Sequence, residues 1–256
     1  MRRFRRIANQ IWSLLYYSVI AFFVDRPRRV RFINSVLAFH DREKNANRFP
    51  TVEFSVLYPN ASSLHLEFQD FKYQDGNVSF PELTILAAIA RIHKPKVVFE
   101  FGTGDGLTTL HLALNGHPDA HIYTLDLPKD VREFQLPLDP GDHLFIKSRI
   151  VRDRSIKSSH VKNIEQFLVD SAFFDTTSLR GKIDLLFIDG AHSYEYVQSD
   201  TRKALEMLAK DGVIVWHDYL VWNGVTDYLN ELSVKRKLFH IAGTSLVVYQ
   251  SSTSIE

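Results

Sequence analysis

The chain contains no cysteine among its 256 residues, which excludes disulfides, zinc–thiolate sites and thiol nucleophiles and is typical of a reducing compartment such as the cytoplasm. No segment matches the G-x-x-x-x-G-K-S/T loop of P-loop nucleotide-binding proteins. The net charge is only +1, so the composition does not predict nucleic-acid binding. Hydrophobic residues make up 45% of the chain and charged residues 24%, which indicates a folded globular protein.

Positive charge is concentrated near the N-terminus. Residues 1–31 contain eight arginines and one acidic residue, so this segment carries +7 and the remaining 225 residues carry −6. The arginines flank an apolar run at residues 11–24, which is shorter than the roughly 20 residues of a membrane-spanning helix. Three alternatives remain: a helix packed on the main domain or on a second subunit of a homo-oligomer, an interfacial helix in peripheral contact with anionic lipids, or a cleaved organellar presequence.

The chain divides into four parts by pattern: a basic, hydrophobic segment (1–31), an N-terminal extension (32–78), a main domain (79–250) and a tail (251–256). In the main domain, helical and strand patterns alternate, which predicts an α/β fold on a mostly parallel sheet. Ser79 and Glu82 have capping-box spacing and begin a helix that runs to about residue 92. Two more helices are predicted, at residues 107–114 and from about 197 to near Gly212, and seven strands, at residues 96–102, 121–127, 166–170, 183–189, 212–218, 238–243 and 245–250.

A glycine-rich turn at residues 100–106 follows the first strand of the main domain and opens a helix. Its glycines allow a sharp turn and a close approach to a ligand, and the helix start adds unpaired N–H groups. Asp126 ends the next strand, where a carboxylate can bind a ribose hydroxyl. Leu107 stands where the dinucleotide fingerprint requires glycine, and Glu100 would repel a pyrophosphate. The turn therefore predicts a nucleoside cofactor that carries a positive sulfonium and an amino group.

These segments resemble a known family. The stretch VVFEFGTGDG resembles motif I of class I S-adenosylmethionine-dependent methyltransferases, and Asp126 and Asp170-Ser171 match that family's ribose-binding and adenine-contacting positions. The block IDLLFIDGAHSYEYVQSD…ALEMLAKDGVIVWHDY is similar to the group that contains metal-dependent sugar and natural-product O-methyltransferases. The resemblance covers about residues 80–250.

The resemblance implies a Rossmann-like class I methyltransferase fold, with a mostly parallel seven-stranded sheet, helices on both faces and an antiparallel C-terminal strand. It also implies S-adenosylmethionine as the cofactor. The residues that would bind it are Glu100, Gly102, Thr103, Gly104, Gly106, Asp126, Asp170 and Ser171.

Polar clusters follow two further strands, Asp189 to His192 after one and His217 to Tyr219 after the other. The carboxyl ends of neighbouring parallel strands face one ligand crevice, so we expect the two clusters to lie close together. Asp189 and Asp218 offer hard oxygen ligands and His217 a nitrogen, a set that suits Mg²⁺ or Mn²⁺, with Fe²⁺ or Zn²⁺ as alternatives. A histidine is well suited to act as a base near neutral pH.

In the metal-dependent relatives that the chain resembles, the metal ligands lie at positions matching Asp189, His217 and Asp218, with an acid in place of His217. Some relatives have a catalytic base at the position of His192, so the resemblance implies His192 and Asp189 as catalytic residues. Structural alternatives remain for each of them. Asp189 could hydrogen-bond the following turn, His217 could be a buried histidine bonded to backbone, and His192 could cap the next helix or touch the adenine.

The predicted function is metal-assisted O-methylation of a hydroxyl on a sugar, a glycan precursor or another small molecule. Two alternatives remain: an NAD-dependent oxidoreductase on a Rossmann sheet, and a non-catalytic membrane-associated protein that retains the fold. The stretch at residues 128–162 is predicted to form a turn at 139–142. The basic segment that follows is either a lid over an acidic or phosphorylated substrate or a solvated loop.

Overall fold

The structure is a computed structural model, which describes residues 47–70, 76–128, 130–131, 133–143, 146 and 163–251. The predictions for the apolar run at 11–24, the arginines around it, the basic segment at 147–162 and the tail from 252 lie outside the described residues. Among the described residues, no helix is both long enough and apolar enough to cross a membrane.

One mixed sheet of eight strands organises the described part of the chain, in the order β1-β7-β8-β6-β5-β2-β3-β4. The strands β2 to β6 pair in parallel, and β8 runs antiparallel to both of its neighbours, β6 and β7. The strands are β1 (Thr51–Val52), β2 (Val97–Phe101), β3 (His121–Asp126), β4 (Ile164–Leu168), β5 (Ile183–Ile188), β6 (Leu208–Trp216), β7 (Phe239–Ile241) and β8 (Val247–Gln250).

This topology confirms the predicted fold class, and the sheet has one strand more than the seven expected. The additional strand, β1, pairs in parallel with β7, where Thr51 lies opposite His240. The sheet therefore includes residues that the sequence pattern placed in the N-terminal extension.

Five α-helices lie in the described residues: α1 (Phe54–Leu57), α2 (Phe80–His93), α3 (Leu107–Asn115), α4 (Tyr194–Met207) and α5 (Asn223–Leu232). The predicted capping box begins α2, where Ser79 N donates to Glu82 Oε2 at 2.9 Å. The helix ends before Lys94, which takes the left-handed conformation ahead of Pro95. Short 3₁₀ turns are found at Ala61–Ser63, Ser171–Phe173 and Thr177–Leu179.

Two predicted boundaries were wrong. We expected the helix after residue 197 to stop near Gly212, but α4 ends at Met207 and Leu208 already begins β6. Leu208 pairs with Ile183 of β5, so strand pairing overrides the helical spacing of the apolar residues. We expected the fourth strand at 166–170, but β4 ends at Leu168 because Asp170 caps the 3₁₀ turn that follows.

Side chains of the central strands alternate between two apolar layers, and helices cover both faces of the sheet. Phe99 of β2 and Ile214 of β6 pack with α4 and α5 on one face. Val98 and Val215 point to the other face and pack with α2 and α3. Because β6, β5, β2 and β3 are consecutive neighbours, their carboxyl ends bring four loops to one edge of the sheet.

Candidate active site

The turn after β2 lies in direct contact with the end of β5. Gly102 has φ +91°, and a Cβ placed on it would lie 1.9 Å from the carbonyl oxygen of Asp189. The turn is anchored further by Gly102 N, which donates to Leu125 O at 2.8 Å, and by Asp189 N, which donates to Phe101 O at 2.9 Å. Only glycine at 102 therefore allows the nucleoside turn and the Asp189 loop to come this close.

Gly104 differs from Gly102, because it borders open space. It has φ +55°, and no atom of the described residues lies within 4 Å of a Cβ placed on it. Its N–H donates to Asp126 Oδ2 at 3.1 Å, so the predicted ribose-binding carboxylate contacts the glycine turn. Gly106, with φ +85°, is the N-cap of α3. The turn thus has the open, close-approach geometry that the sequence predicted for a cofactor.

Glu100 lies beneath the turn and is completely buried. Its Oε2 accepts hydrogen bonds from the hydroxyls of Thr109 and Thr124, the latter at 2.7 Å. Its other oxygen, Oε1, is buried and has no hydrogen-bond partner in the described part of the chain. Burial raises the pKa of Glu100 to about 8, although the two threonine hydroxyls oppose this shift. Glu100 is therefore mostly protonated at neutral pH, in contrast to the negative charge expected from the sequence.

The side chains of two other predicted cofactor-binding residues form hydrogen bonds with other groups of the protein. The hydroxyl of Thr103 is buried and lies 2.7 Å from that of Thr124. Asp170 accepts hydrogen bonds from Ala172 N at 2.9 Å and from the Tyr196 hydroxyl at 2.7 Å. Ser171 is buried, and its carbonyl oxygen accepts a hydrogen bond from Lys203. Their predicted cofactor contacts stay predictions, and in this arrangement backbone atoms would have to provide most of them.

The two predicted polar clusters do meet. His217 Nδ1 lies 3.0 Å from Asp189 Oδ1 and 3.3 Å from Asp218 Oδ2. Burial by itself would lower the pKa of His217, but Asp189 and Asp218 raise it well above its ordinary value. The pKa of the buried Asp218 carboxyl is lowered far below its usual range, because His217 and His192 outweigh the effect of its burial. His217 therefore contacts carboxylates, and the alternative in which it bonds only to backbone does not fit this geometry.

His192 is held between two carboxylates. Its Nε2 lies 2.8 Å from Asp218 Oδ2, and its Nδ1 is hydrogen-bonded to Oδ1 of Asp142. Burial would lower the pKa of His192, but the hydrogen bonds with Asp142 and Asp218 raise it to about 10. The side chain that caps α4 is the neighbouring Ser193, which accepts from Tyr196 N at 3.3 Å. His192 therefore faces the Asp218 side of the cluster instead of the helix start.

The loop that carries Asp218 is strained. Asp218 and Leu220 both have positive φ, +67° and +64°, which is unfavourable for residues with a side chain. Two hydrogen bonds stabilise the loop. Asp218 N donates to the Ser245 hydroxyl at 3.2 Å, and Trp222 N donates to Asp218 O at 3.1 Å. Strained backbone of this kind is found at functional sites, where the surrounding structure maintains it.

The residues that build this site match a known family. Residues 99–219 match a family model described as a methyltransferase domain. Over these residues the chain resembles a class I methyltransferase domain. The matched residues run from β2 to the loop after β6, so the matched region includes both the glycine turn and the Asp189/His217/Asp218 cluster. The family match favours a methyltransferase over the oxidoreductase alternative.

Solved structures show the same fold at low identity. The O-methyltransferase NovP is 14% identical with a TM-score of 0.51, over 66% of this chain and 78% of NovP. A methyltransferase from Geobacter sulfurreducens is 16% identical with a TM-score of 0.50, over 80% of this chain and 98% of that one. Uncharacterized protein R132 of Acanthamoeba polyphaga mimivirus is 38% identical over 66 residues, which is 25% of this chain and only 30% of that protein.

Two further carboxylates complete the cluster, and the sequence did not point to either of them as a site residue. Glu82 was predicted only as a helix cap, yet its Oε2 also lies 3.3 Å from His217 Nε2. Its Oε1 accepts from Ser245 N and from the Ser245 hydroxyl, both at 2.8 Å. Asp142 was predicted only as part of a turn. No local pattern could have identified them, because their histidine partners lie far away in the chain.

Four carboxylates and two histidines therefore lie together at the edge of the sheet. The cluster has two more carboxyl groups than histidines; its carboxyl groups belong to Glu82, Asp142, Asp189 and Asp218. Ligand atoms of Asp189, His192 and Asp218 all lie within 4.8 Å of one another, close enough to hold one metal ion. His192 thus joins the predicted set of Asp189, His217 and Asp218 as a further candidate ligand.

Proposed function

We propose that this methyltransferase transfers a methyl group from S-adenosylmethionine to a hydroxyl oxygen of a small molecule, such as a sugar or a glycan precursor, with the help of Mg²⁺ or Mn²⁺. One observation carries the proposal: the open glycine turn and Asp126 lie beside a cluster of carboxylates and histidines at the carboxyl ends of adjacent strands. A nucleoside site and a proton-accepting site are what transfer to a hydroxyl requires.

The residues around the turn fit the cofactor. The open space at Gly104 leaves room beside the backbone, and Asp126, which contacts the glycine turn, would accept hydrogen bonds from a ribose. The buried Oε1 of Glu100, which lacks a partner in the described residues, is a candidate acceptor for the amino group of the cofactor. A cation bound nearby would favour the ionised form of Glu100, because opposite charges lower the pKa of a carboxyl group.

The donor set also fits a divalent cation. Asp189 and Asp218 would hold it through oxygen, with His217 as the nitrogen ligand and His192 as the base. When bound, such an ion lowers the pKa of a neighbouring hydroxyl and offsets the carboxylate charges that keep His192 protonated. The acceptor hydroxyl then attacks the methyl carbon, the O–C bond forms as the C–S bond breaks, and the proton passes to Nε2 of His192.

The cofactor is tested by calorimetric titration of the full chain with S-adenosylmethionine and with NAD. We expect S-adenosylmethionine to bind and NAD not to bind. Asp126→Ala should weaken the binding by at least about tenfold, the equivalent of one lost charge-assisted hydrogen bond. Asp211→Ala, at an exposed position of β6, is the control and should bind like the native chain. If NAD binds tightly and S-adenosylmethionine does not, the proposal is wrong.

The metal is tested by Mn²⁺ binding, followed by electron paramagnetic resonance, and by methyl transfer to a panel of sugars with and without chelator. Asp189→Asn and Asp218→Asn should each weaken Mn²⁺ binding. With His217 as a ligand, His217→Gln should weaken Mn²⁺ binding. With His192 as the base, His192→Gln should abolish methyl transfer and leave Mn²⁺ binding unchanged. Full activity in chelator would remove the metal from the mechanism, and a lack of transfer to every acceptor would favour the non-catalytic alternative.

A further inference from the structure

A short turn between β3 and β4 reaches into the active site. Asp142 N donates to Asp139 O at 3.0 Å, and Gly141 N donates to Asp139 Oδ1 at 2.8 Å, so the turn is closed by its own hydrogen bonds. The side chain of Asp142 is only 6% exposed. A buried carboxylate is stable only when its oxygens are hydrogen-bonded. The hydrogen-bond partners of Asp142 therefore indicate its role in the site.

Both oxygens of Asp142 bind one residue. Oδ2 accepts the backbone N–H of His192 at 3.0 Å, and Oδ1 is hydrogen-bonded to Nδ1 of the His192 ring. The two contacts fix the position of the His192 backbone and the rotation of its ring together. A carboxylate next to Nδ1 also requires that this nitrogen carry a proton, because the oxygen can only accept.

Packing holds the ring from one side as well. The rings of His192 and Trp222 are stacked, with their centroids 4.3 Å apart and an angle of 16° between their planes. Trp222 is in turn pressed against the turn, since a Cβ placed on Gly141 would lie 2.3 Å from it. Asp142, Gly141, Trp222 and His192 thus form one packed unit, from which Nε2 of His192 faces Asp218.

We propose that Asp142 is a positioning residue, which keeps a proton on Nδ1 of His192 and so presents Nε2 to the acceptor hydroxyl. The proposal rests on the proposed function, in which Nε2 accepts the hydroxyl proton. During that step Nδ1 retains its proton, and the hydrogen bond from Nδ1 to the Asp142 carboxylate stabilises the imidazolium that forms. Asp142 touches neither substrate nor cofactor and acts only through His192.

The test uses nuclear magnetic resonance of the His192 ring in the full chain, which requires neither the acceptor nor a metal. The native spectrum should contain an Nδ1–H proton that is shifted far downfield and protected from exchange with water. Its absence in His192→Gln assigns it to this ring, and the couplings of the two ring nitrogens to the carbon-bound ring protons distinguish Nδ1 from Nε2. Asp142→Asn has one acceptor oxygen instead of two, so it cannot accept both hydrogen bonds from His192. The Nδ1–H signal should therefore move upfield or disappear.

Asp139→Asn is the matched control, because it changes the same charge in the same turn without touching His192. It should retain the native signal. Identical spectra for Asp142→Asn and the native chain would overturn the proposal. If Asp142→Asn does not fold, the native spectrum still tests the proposal. A His192 ring without a proton on Nδ1 would contradict the proposal. Failure of the native chain to bind S-adenosylmethionine would instead reject the proposed function and leave the ring measurement intact.

Discussion

Two glycines in the turn after β2 carry different constraints, although they are separated by a single residue. Gly102 is confined by the backbone of Asp189, whereas a Cβ added to Gly104 would have no atom within 4 Å in the part of the chain that the structure describes. The first glycine is therefore required for folding and the second for the space that a ligand would fill. This difference allows the fold and the cofactor site to be separated experimentally.

We predict that Gly102→Ala lowers the free energy of unfolding by at least about 2 kcal/mol, because positive φ and overlap with the Asp189 carbonyl act together. Gly104→Ala should cost only about 1 kcal/mol, the strain of a left-handed residue with a side chain. Yet Gly104→Ala should weaken S-adenosylmethionine binding by more than about tenfold, since its methyl group enters the cofactor space. Urea denaturation and calorimetry measure the two effects. Native affinity in folded Gly104→Ala would show that no ligand approaches this turn.

Glu100 gives a prediction on pH. Burial raises its pKa from 4.5 to about 8, so between these values the folded chain retains a proton that the unfolded chain releases. Stability should therefore fall as pH rises through this window, by up to about 1.4 kcal/mol per pH unit from this group. Glu100→Gln, which is neutral at every pH, should flatten the slope in urea denaturation. The exposed substitution Glu195→Gln is the control and should preserve it. An equal slope in all three proteins would contradict the assignment.

At the scale of elements, helix α2 is joined to the active site by its first turn. Glu82 caps the helix through Ser79 and also contacts His217 at the end of β6 and Ser245 before β8. The pKa of Glu82 is lowered well below its usual range, because His217, Ser79 and Ser245 together outweigh its burial. One carboxylate thus links the helix to two strand ends.

Substitutions in this capping box should separate the two roles. Ser79→Ala removes only the cap and should cost about 1 kcal/mol of stability. Glu82→Gln keeps the size of the side chain but weakens the cap and leaves His217 with one carboxylate fewer, so we expect a larger loss, about 2–3 kcal/mol. Thermal unfolding at neutral pH gives the comparison. Equal losses would show that the contact between Glu82 and His217 contributes nothing to stability.

The elements also show what a sequence can predict. Strands β2 and β3, the glycine turn and the meeting of Asp189 with His217 and Asp218 follow from local patterns and the rule that parallel strands present their carboxyl ends together. Strand β1 was missed because two residues are too short to show a period. Asp142 escaped notice because its contact with His192 spans 50 residues, and only the folded chain brings them together.

At the scale of the whole molecule, charge is divided along the chain. Residues 1–31 carry +7 and the other 225 residues −6, so the two parts should respond oppositely to an anionic surface. Each arginine near such a surface contributes about 1 kcal/mol, an attraction that falls off within a Debye length. The apolar run at 11–24 adds a hydrophobic contribution if it lies in the interface.

We predict that the full chain co-floats with vesicles of phosphatidylserine and phosphatidylcholine at low salt, and that high salt or pure phosphatidylcholine reduces binding. Replacement of all eight arginines in residues 1–31 by glutamine should abolish the co-flotation while S-adenosylmethionine affinity stays unchanged. A matched variant with eight surface lysines or arginines beyond residue 162 replaced should still float. Because packing of the run on protein is the alternative, equal flotation of the native and arginine-free chains would reject the membrane role. A change in oligomeric state between those two proteins, measured by light scattering, would then place the segment at a subunit interface.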